Sequence, residues 1–210
     1  ATLRHDTILG ITNLYVNPNI EYLEIEINNE KWILGEEAAK RLQEQDRKLN
    51  LVKKIKGIDL IGKKTEEIDG RKVLILPASF LDEKFGTGLV HSVPSDSSDD
   101  LIALLDLQKN EDLLKKYNLD VDEVRSIKPI PVLNTPGLGN IPAEVMLKKY
   151  NVSSQNEREK LDKIKKELYK LGYYSATFNE KYKKFFSKDL SGKKVQQEKD
   201  FIKKKLMEKG

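Results

Sequence analysis

Five short apolar or alternating segments in the first 95 residues constrain the fold of this chain more than any other feature. They are separated by Asn-Pro, Asn-Asn and Asp-Gly pairs and by single glycines, all of which are typical of turns. Asn28-Asn29 is expected to turn a hairpin, and an amphipathic helix over 35–49 interrupts the strands. This pattern predicts an α/β fold with a small mixed, barrel-like sheet surrounded by helices. The five segments read NLYVN, EYLEIEI, EKWIL, LVKKIKG and RKVLILPASF.

Helical periodicity dominates the chain after Pro94. A Pro/Gly-rich loop over 127–142 separates two groups of predicted helices, and Gly172 is expected to end the longest of them. We therefore predict a single domain over 1–210, with a strand-rich core carrying the active site in 1–110 and helical and loop additions in 111–210. The predicted helices are one or two over 99–117, one over 142–152 with Pro142 in its first turn, one over 153–174, and a Lys-rich one over 191–210.

Composition excludes several kinds of site. The 210 residues contain no cysteine and only two histidines, His5 and His91. Disulfides, thiolate zinc sites and Cys nucleophiles are therefore absent, and a His-rich metal site or a Ser/His/Asp triad has almost no candidate residues. No apolar run approaches the roughly 18–20 residues that cross a bilayer, and no signal-peptide pattern is present. We expect a cytoplasmic protein that makes no membrane contact.

The net charge of +4 conceals an uneven distribution. Residues 147–210 hold 19 Lys and Arg against 9 Asp and Glu, whereas the rest of the chain holds 19 against 25. A basic C-terminal third beside an acidic body fits a protein that meets a polyanion at one end. An ordinary Lys-rich surface is the alternative.

The stretch GTGLVHSVPSDSSDD, Gly86–Asp100, predicts a short strand that leads directly into a helix. Ser97 and Asp100 have the spacing of a capping box, so Ser97 is expected to cap the helix. At least one carboxylate is then left over at the end of a strand, where α/β folds tend to bind ligands. Three interpretations stay open: acids favoured by the helix dipole, a Mg²⁺ site, or an anionic pocket for a cationic group such as an amino acid's ammonium.

The chain resembles the editing domain inserted into archaeal and eukaryotic cytosolic leucyl-tRNA synthetases. TLRHDT and GITNLYVNP, within Thr2–Pro18, resemble the family's TLRPET and G-TN-WVNP motifs, and Gly86–Asp100 resembles GTGVV-SVPSDSPDD. The segments over 130–140 and 153–174 are also similar, so the resemblance covers nearly the whole chain. His5 stands where the family has proline, and it is interpreted as a tolerated surface substitution or, less readily, as a catalytic residue.

The resemblance implies an aminoacyl-tRNA deacylase. Its reaction would be hydrolysis, by a positioned water molecule, of the ester joining isoleucine, norvaline, methionine or valine to the terminal adenosine of tRNA(Leu). The implied partners are that 3′ adenosine, the mischarged amino acid and the rest of the synthetase, with AMP or boron adducts of the adenosine diol as further ligands. No adenylate-forming signature is present, so the chain is expected not to aminoacylate. No cofactor is expected here, because ATP and Mg²⁺ would serve only the parent synthetase.

The resemblance also assigns site residues, by matching motif positions. Asp100 would hold the substrate's α-ammonium, and Thr7 would exclude leucine by crowding its side chain. Thr2 would lie near the ester, while Arg4 would either position the substrate or form a structural salt bridge. The adenosine-binding positions would be Leu3, His91, Ser92, Val93 and Asp96, with the strand contributing main-chain groups and Asp96 lying beside the ribose and the water. The alternative function is a non-catalytic module that binds RNA or protein through the basic helices of 147–210.

Overall fold

The computed structural model describes residues 4–82, 84, 86–186 and 188–208. The described residues form nine strands and eight α-helices, preceded by a 3₁₀ helix over His5–Gly10. The strands are β1 Asn13–Val16, β2 Glu21–Ile27, β3 Glu30–Gly35, β4 Asn50–Lys56, β5 Lys64–Glu66, β6 Lys72–Pro77, β7 Leu89–Ser92, β8 Leu133–Asn134 and β9 Thr177–Phe178. The helices are α1 Glu36–Gln43, α2 Ser98–Lys109, α3 Glu111–Lys116, α4 Val121–Ser126, α5 Pro142–Lys149, α6 Arg158–Tyr174, α7 Lys181–Phe185 and α8 Val195–Met207.

The first sheet is mixed and has the strand order β5-β6-β1-β7. Strand β1 pairs in parallel with β6 and antiparallel with β7, which places Asn13 beside Ser92. The 3₁₀ helix leads into β1, and α2 follows shortly after β7. The pairing of β1 with β7 therefore brings the N-terminal segment next to the junction of β7 and α2, although these are some 90 residues apart in sequence.

The second sheet is antiparallel, with the order β3-β2-β4. Its predicted hairpin turn is present: Asn28 and Asn29 have φ angles of 51° and 64°, a left-handed conformation that asparagine tolerates. Helix α1 packs on this sheet through Ala38 and Ala39. The predicted strands are thus divided between two sheets rather than continuous in one.

One group of helices packs on the first sheet, and a second group packs on the first group. Helices α2, α3 and α4 bury Leu104, Leu114 and Val124 against Tyr15 and Leu76 of the sheet. Helices α5 and α6 pack on the far side of α2, around Ile102, Met146 and Ile164. A C-terminal cluster of Phe178, Tyr182 and Ile202 packs against Leu9 of the 3₁₀ helix, so α7 and α8 support the N-terminal segment directly.

The longest helix corrects one prediction. Helix α6 runs through Gly172 to Tyr174, so the expected stop at Gly172 is wrong. Gly172 is buried inside the helix, and its missing side chain leaves room for a neighbouring arginine described below. Within the described residues, no helix combines the length and the apolar character needed to cross a membrane.

Candidate active site

The junction of β7 and α2 is a tight turn held by its own main chain. The Val93 carbonyl accepts hydrogen bonds from the amides of Asp96 and Ser97, at 3.1 and 3.0 Å. Ser97 is the N-cap of α2, and its hydroxyl oxygen accepts from the amide of Asp100 at 3.3 Å. The predicted cap is therefore confirmed. In a capping box the acidic side chain would bond to the amide of Ser97, but that amide is already used within the turn.

The Asp100 carboxylate instead reaches back to the end of the strand. Its Oδ2 accepts a hydrogen bond from the Val93 amide at 2.8 Å. Burial raises the pKa of Asp100 from its ordinary 3.8 to about 6, the Val93 hydrogen bond opposes that rise, and the positive charge of Lys165 lowers the pKa further. The Ser97 side chain also interacts with the Asp100 carboxylate and lowers its pKa. Asp100 is thus held in place by Val93 and Ser97, and a carboxylate with about four acceptor sites keeps capacity for a further donor.

Asp96 is a second partly buried carboxylate in the same turn. It accepts a hydrogen bond from the Ser95 hydroxyl at 2.6 Å. Burial raises the pKa of Asp96 to about 6, while the positive charge of Arg4 lowers it and the negative charge of Asp6 raises it. No group of three or more His, Cys, Asp or Glu side chains that could hold a metal ion occurs in the described ranges. The Mg²⁺ interpretation therefore has no ligand set among these residues.

Arg4 and Asp6 form a buried ion pair beside this turn. The Arg4 Nη2 lies 2.7 Å from Asp6 Oδ2, and its Nε donates to both carboxylate oxygens at 2.9 and 3.1 Å. The Asp6 side chain is fully buried, and its main-chain carbonyl accepts a hydrogen bond from the Tyr182 hydroxyl. The structural salt bridge expected as one of two roles for Arg4 is therefore present.

Thr7 is buried in the 3₁₀ helix, in the turn that follows Arg4. Both its amide and its hydroxyl donate to the Arg4 carbonyl, each at 2.9 Å. Because the hydroxyl proton is committed to the main chain, a ligand would meet chiefly the bulk of Thr7 rather than a free donor. Thr2 and Leu3, the other predicted positions of this motif, lie outside the described residues.

Three of the five predicted adenosine-binding positions, His91, Ser92 and Val93, lie at the end of β7, an edge strand of the first sheet. Burial lowers the pKa of His91 to about 4, so its ring is neutral at pH 7; its Nε2 lies 3.6 Å from Glu67 Oε2. Ser92 is buried, and its carbonyl accepts from the Thr12 amide at 3.0 Å. The amide and carbonyl of Val93 are both used within the turn. Part of the main chain predicted to read adenine is therefore engaged internally.

His5 lies against α8 and is partly buried, so it is not fully exposed, and whether the substitution is tolerated stays a prediction. Burial lowers the pKa of His5, and the positive charges of Lys199 and Lys203 lower it further. The imidazole is therefore a packing contact between the N-terminal segment and the C-terminal helix. Its neutral form is the one that this cationic environment favours.

Curated sequences similar to this chain are leucine–tRNA ligases. The enzyme of Pyrococcus abyssi is 38% identical over 215 residues, covering 100% of this chain and 22% of the enzyme. The cytoplasmic enzyme of Pongo abelii is 35% identical, covering 100% of this chain and 18% of the enzyme. A crystal structure of GlLeuRS-CP1 matches with a TM-score of 0.85 and 28% identity, over 99% of this chain and 78% of that one. The chain is homologous to the editing domain of leucyl-tRNA synthetases.

A second solved structure extends the comparison of folds. The editing domain of the P. knowlesi cytosolic leucyl-tRNA synthetase matches with a TM-score of 0.85 over 99% of this chain. At 22% identity this likeness shows the fold alone. No family model matches the chain. The chain spans about a fifth of the length of its curated relatives. The resemblance and the α/β fold class expected from the sequence are thus confirmed.

Helix α6 adds to the candidate site two residues, Tyr169 and Gly172, that no sequence motif identified. The Arg4 Cζ lies 5.2 Å from the centre of the Tyr169 ring. A Cβ built on Gly172 would lie 3.0 Å from Arg4 Nη2 and 3.2 Å from Nη1, so any side chain at 172 would crowd the guanidinium and require it to shift. A glycine inside a strong helical pattern was the available signal, since it often marks a close approach of another group.

Proposed function

We propose that this domain performs post-transfer editing, hydrolysing the ester of tRNA(Leu) charged with a wrong amino acid. The observation that carries the proposal is the Asp100 carboxylate, fixed through Val93 at the start of α2 in a chain homologous to an editing domain. Val93 and Ser97 hold the carboxylate in place, and it keeps acceptor capacity for one more donor. Such a group is suited to hold a cationic substrate group without moving.

Asp100 would bind the substrate's α-ammonium. Its pKa of about 6 leaves the carboxylate ionised at pH 7.5. A hydrogen bond between an ammonium and a carboxylate contributes about 1.5–3 kcal/mol, and more where water is partly excluded. Binding of this kind recognises any aminoacyl ester, so a different residue must distinguish leucine from the wrong amino acids.

Thr7 would make that distinction by its volume. The Thr7 hydroxyl is hydrogen-bonded to the main chain, so a leucine side chain would meet the Thr7 methyl group. That methyl group cannot easily move aside, because Thr7 is buried and hydrogen-bonded. Crowding of this kind excludes the correct product rather than attracting the wrong one. Isoleucine, norvaline, methionine and valine are the proposed substrates, with Thr2 near the ester.

Water would attack the ester carbonyl directly. The new bond joins the water oxygen to the carbonyl carbon, the bond from that carbon to the ribose oxygen breaks, and the ribose hydroxyl leaves with a proton. Asp96, partly buried beside Arg4 and hydrogen-bonded to Ser95, is proposed to help orient the water. The proposed reaction uses no cofactor, ATP and Mg²⁺ being requirements of the parent synthetase.

The proposed partners are the 3′-terminal adenosine of tRNA(Leu) and the remainder of a leucyl-tRNA synthetase. A cytoplasmic location is proposed because one relative, that of Pongo abelii, is named as a cytoplasmic enzyme. AMP together with a boron compound that esterifies its diol is proposed as a ligand of the same site. A thermal-shift measurement with AMP and the boron compound, alone and combined, tests this: stabilisation only by the combination supports it.

The central test compares deacylation of isoleucyl- and leucyl-tRNA(Leu) by the wild-type chain and by Asp100→Ala and Thr7→Ala. We expect hydrolysis of the isoleucyl ester only, lost with Asp100→Ala and extended to leucine with Thr7→Ala. Asp99→Ala is the matched control, since the neighbouring Asp99 is paired with Arg158 at 2.7 Å. Equal activity of Asp100→Ala and wild type would refute the assignment. RNA binding without hydrolysis by the wild type would favour the non-catalytic alternative.

A further inference from the structure

One row of side chains on α6 runs along the candidate active site. Lys165, Tyr169 and Tyr173 are spaced by four residues, so they lie on the same side of the helix. Lys165 is near enough to Asp100 for its charge to lower the carboxyl's pKa, and Tyr169 contacts Arg4. At the other end, the Lys199 Nζ of α8 lies 5.1 Å from the centre of the Tyr173 ring. The row therefore joins the start of α2 to α8.

The positive charges of this surface are not neutralised locally. Within the described residues, Lys165, Lys199 and Lys203 form no ion pair, whereas Lys53 and Lys54 of β4 pair with glutamates of β2. His5 feels the charges of both Lys199 and Lys203, which places these two lysines at the edge of the N-terminal segment. Unpaired lysines around a site that would take one end of an RNA chain are positioned to meet phosphates.

The Tyr169 ring supplies the apolar element that unpaired RNA needs. Its side chain is 42% exposed although its ring contacts the Arg4 guanidinium. By contrast, Phe178, Tyr182 and Phe186, which are also near lysines in the sequence, are buried in the C-terminal core. Proteins bind single-stranded RNA by combining exposed aromatic rings, on which bases stack, with a basic surface that follows the backbone.

We propose that the Lys165–Tyr169–Tyr173 row, with Lys199 and Lys203 of α8, binds the unpaired 3′ end of the RNA substrate. A base stacks on Tyr169, and the lysines contact the phosphates that precede the terminal nucleoside. The inference rests on the proposed function, because it extends the same substrate away from Asp100. An acidic protein segment fits less well, since it would leave the exposed Tyr169 ring without a planar partner.

The first test measures binding of a fluorescent single-stranded RNA hexamer ending in CCA. We expect Lys165→Gln/Lys199→Gln to raise the Kd at least five-fold and to reduce its dependence on salt concentration. Tyr169→Leu should raise the Kd by about five-fold or more, and Tyr169→Phe should retain binding, because stacking needs the ring and not the hydroxyl. Lys163→Gln is the matched control, since Lys163 is exposed on the opposite side of the same helix. Unchanged binding in the lysine and Tyr169→Leu variants would overturn the inference.

A second test separates this inference from the proposed function. Hydrolysis of isoleucyl-tRNA(Leu) is compared with hydrolysis of isoleucyl-adenosine, which carries the ester but none of the preceding phosphates. The double lysine variant should raise KM more for the tRNA than for the nucleoside ester, with a smaller change in kcat. Equal effects on both substrates would overturn the RNA-binding row while leaving editing intact. Absence of hydrolysis by the wild type, with lysine-dependent RNA binding retained, would overturn the editing function alone.

Discussion

Replacing Asp100 by Asn should make this domain more stable at neutral pH while removing the proposed ammonium-binding charge. The pKa of Asp100 is raised from 3.8 to about 6, chiefly by burial. A raised pKa means that the folded state binds the proton more tightly than the unfolded state. The corresponding stability is fully present below pH 3.8 and is lost as the pH rises through about 6.

The size of the effect follows from the shift. One pKa unit corresponds to about 1.4 kcal/mol, so ionisation of Asp100 lowers the free energy of unfolding by about 3 kcal/mol at pH 7.5. Asn cannot ionise, and its side-chain oxygen can still accept the hydrogen bond from the Val93 amide. The variant should therefore gain up to about 3 kcal/mol at pH 7.5 and less than about 1 kcal/mol at pH 4.

Urea unfolding of both proteins at pH 7.5 and pH 4 measures this difference, and the change between the two pH values cancels any constant effect of the amide. Asp99→Asn provides the control, because it removes the 2.7 Å pair with Arg158 and should lower stability slightly. If Asp100→Asn were less stable than wild type at pH 7.5, or if its advantage did not shrink at pH 4, the reasoning from burial would be refuted.

Three further predictions concern the same region. Deacylation should decline as the pH falls below about 6, because Asp100 then loses the charge that binds the ammonium; a kcat/KM profile from pH 5 to 8 tests this, and a flat profile would contradict it. Asp6→Asn should cost about 3 kcal/mol of unfolding free energy, since it leaves the Arg4 charge in a largely buried place without its carboxylate; urea unfolding against Asp69→Asn, whose carboxylate also pairs with an arginine but is less buried, measures the cost. Gly172→Val should lower the melting temperature and the deacylation rate together, because the new side chain displaces Arg4, whereas Gly172→Ala should have a smaller effect; equal values for Val, Ala and wild type would show that Arg4 does not need this space.

Local patterns predicted much of the fold because they reflect local causes. Alternating apolar residues identified β2 and β3, and the Asn-Asn pair identified the turn between them, since asparagine tolerates positive φ. The cap at Ser97 also followed from spacing alone. The short strands β5, β8 and β9 were missed, because two or three residues cannot display a period.

Sequence motifs identified only part of the candidate site, because the rest depends on contacts between segments that are distant in the sequence. The motif around Asp100 was recognisable, but Arg4 meets Tyr169 and Gly172 across more than 160 residues. No periodicity encodes such a contact. Gly172 was interpreted through its local role as a helix stop, whereas its actual role is set by the guanidinium packed against it.

The energetics of the junction argue for function independently of any likeness to other proteins. Asp96 and Asp100 lie four residues apart, both partly buried, and burial raises the pKa of each to about 6. Each is therefore ionised at neutral pH at a cost to folding, and the hydrogen bonds from Ser95 and Val93 offset only part of that cost. A fold shaped by stability alone would place amides here, because Asn preserves the acceptor and avoids the charge. Two carboxylates beside Arg4, at a turn whose main chain is already satisfied, are the arrangement that the proposed cationic substrate group would complete when it binds.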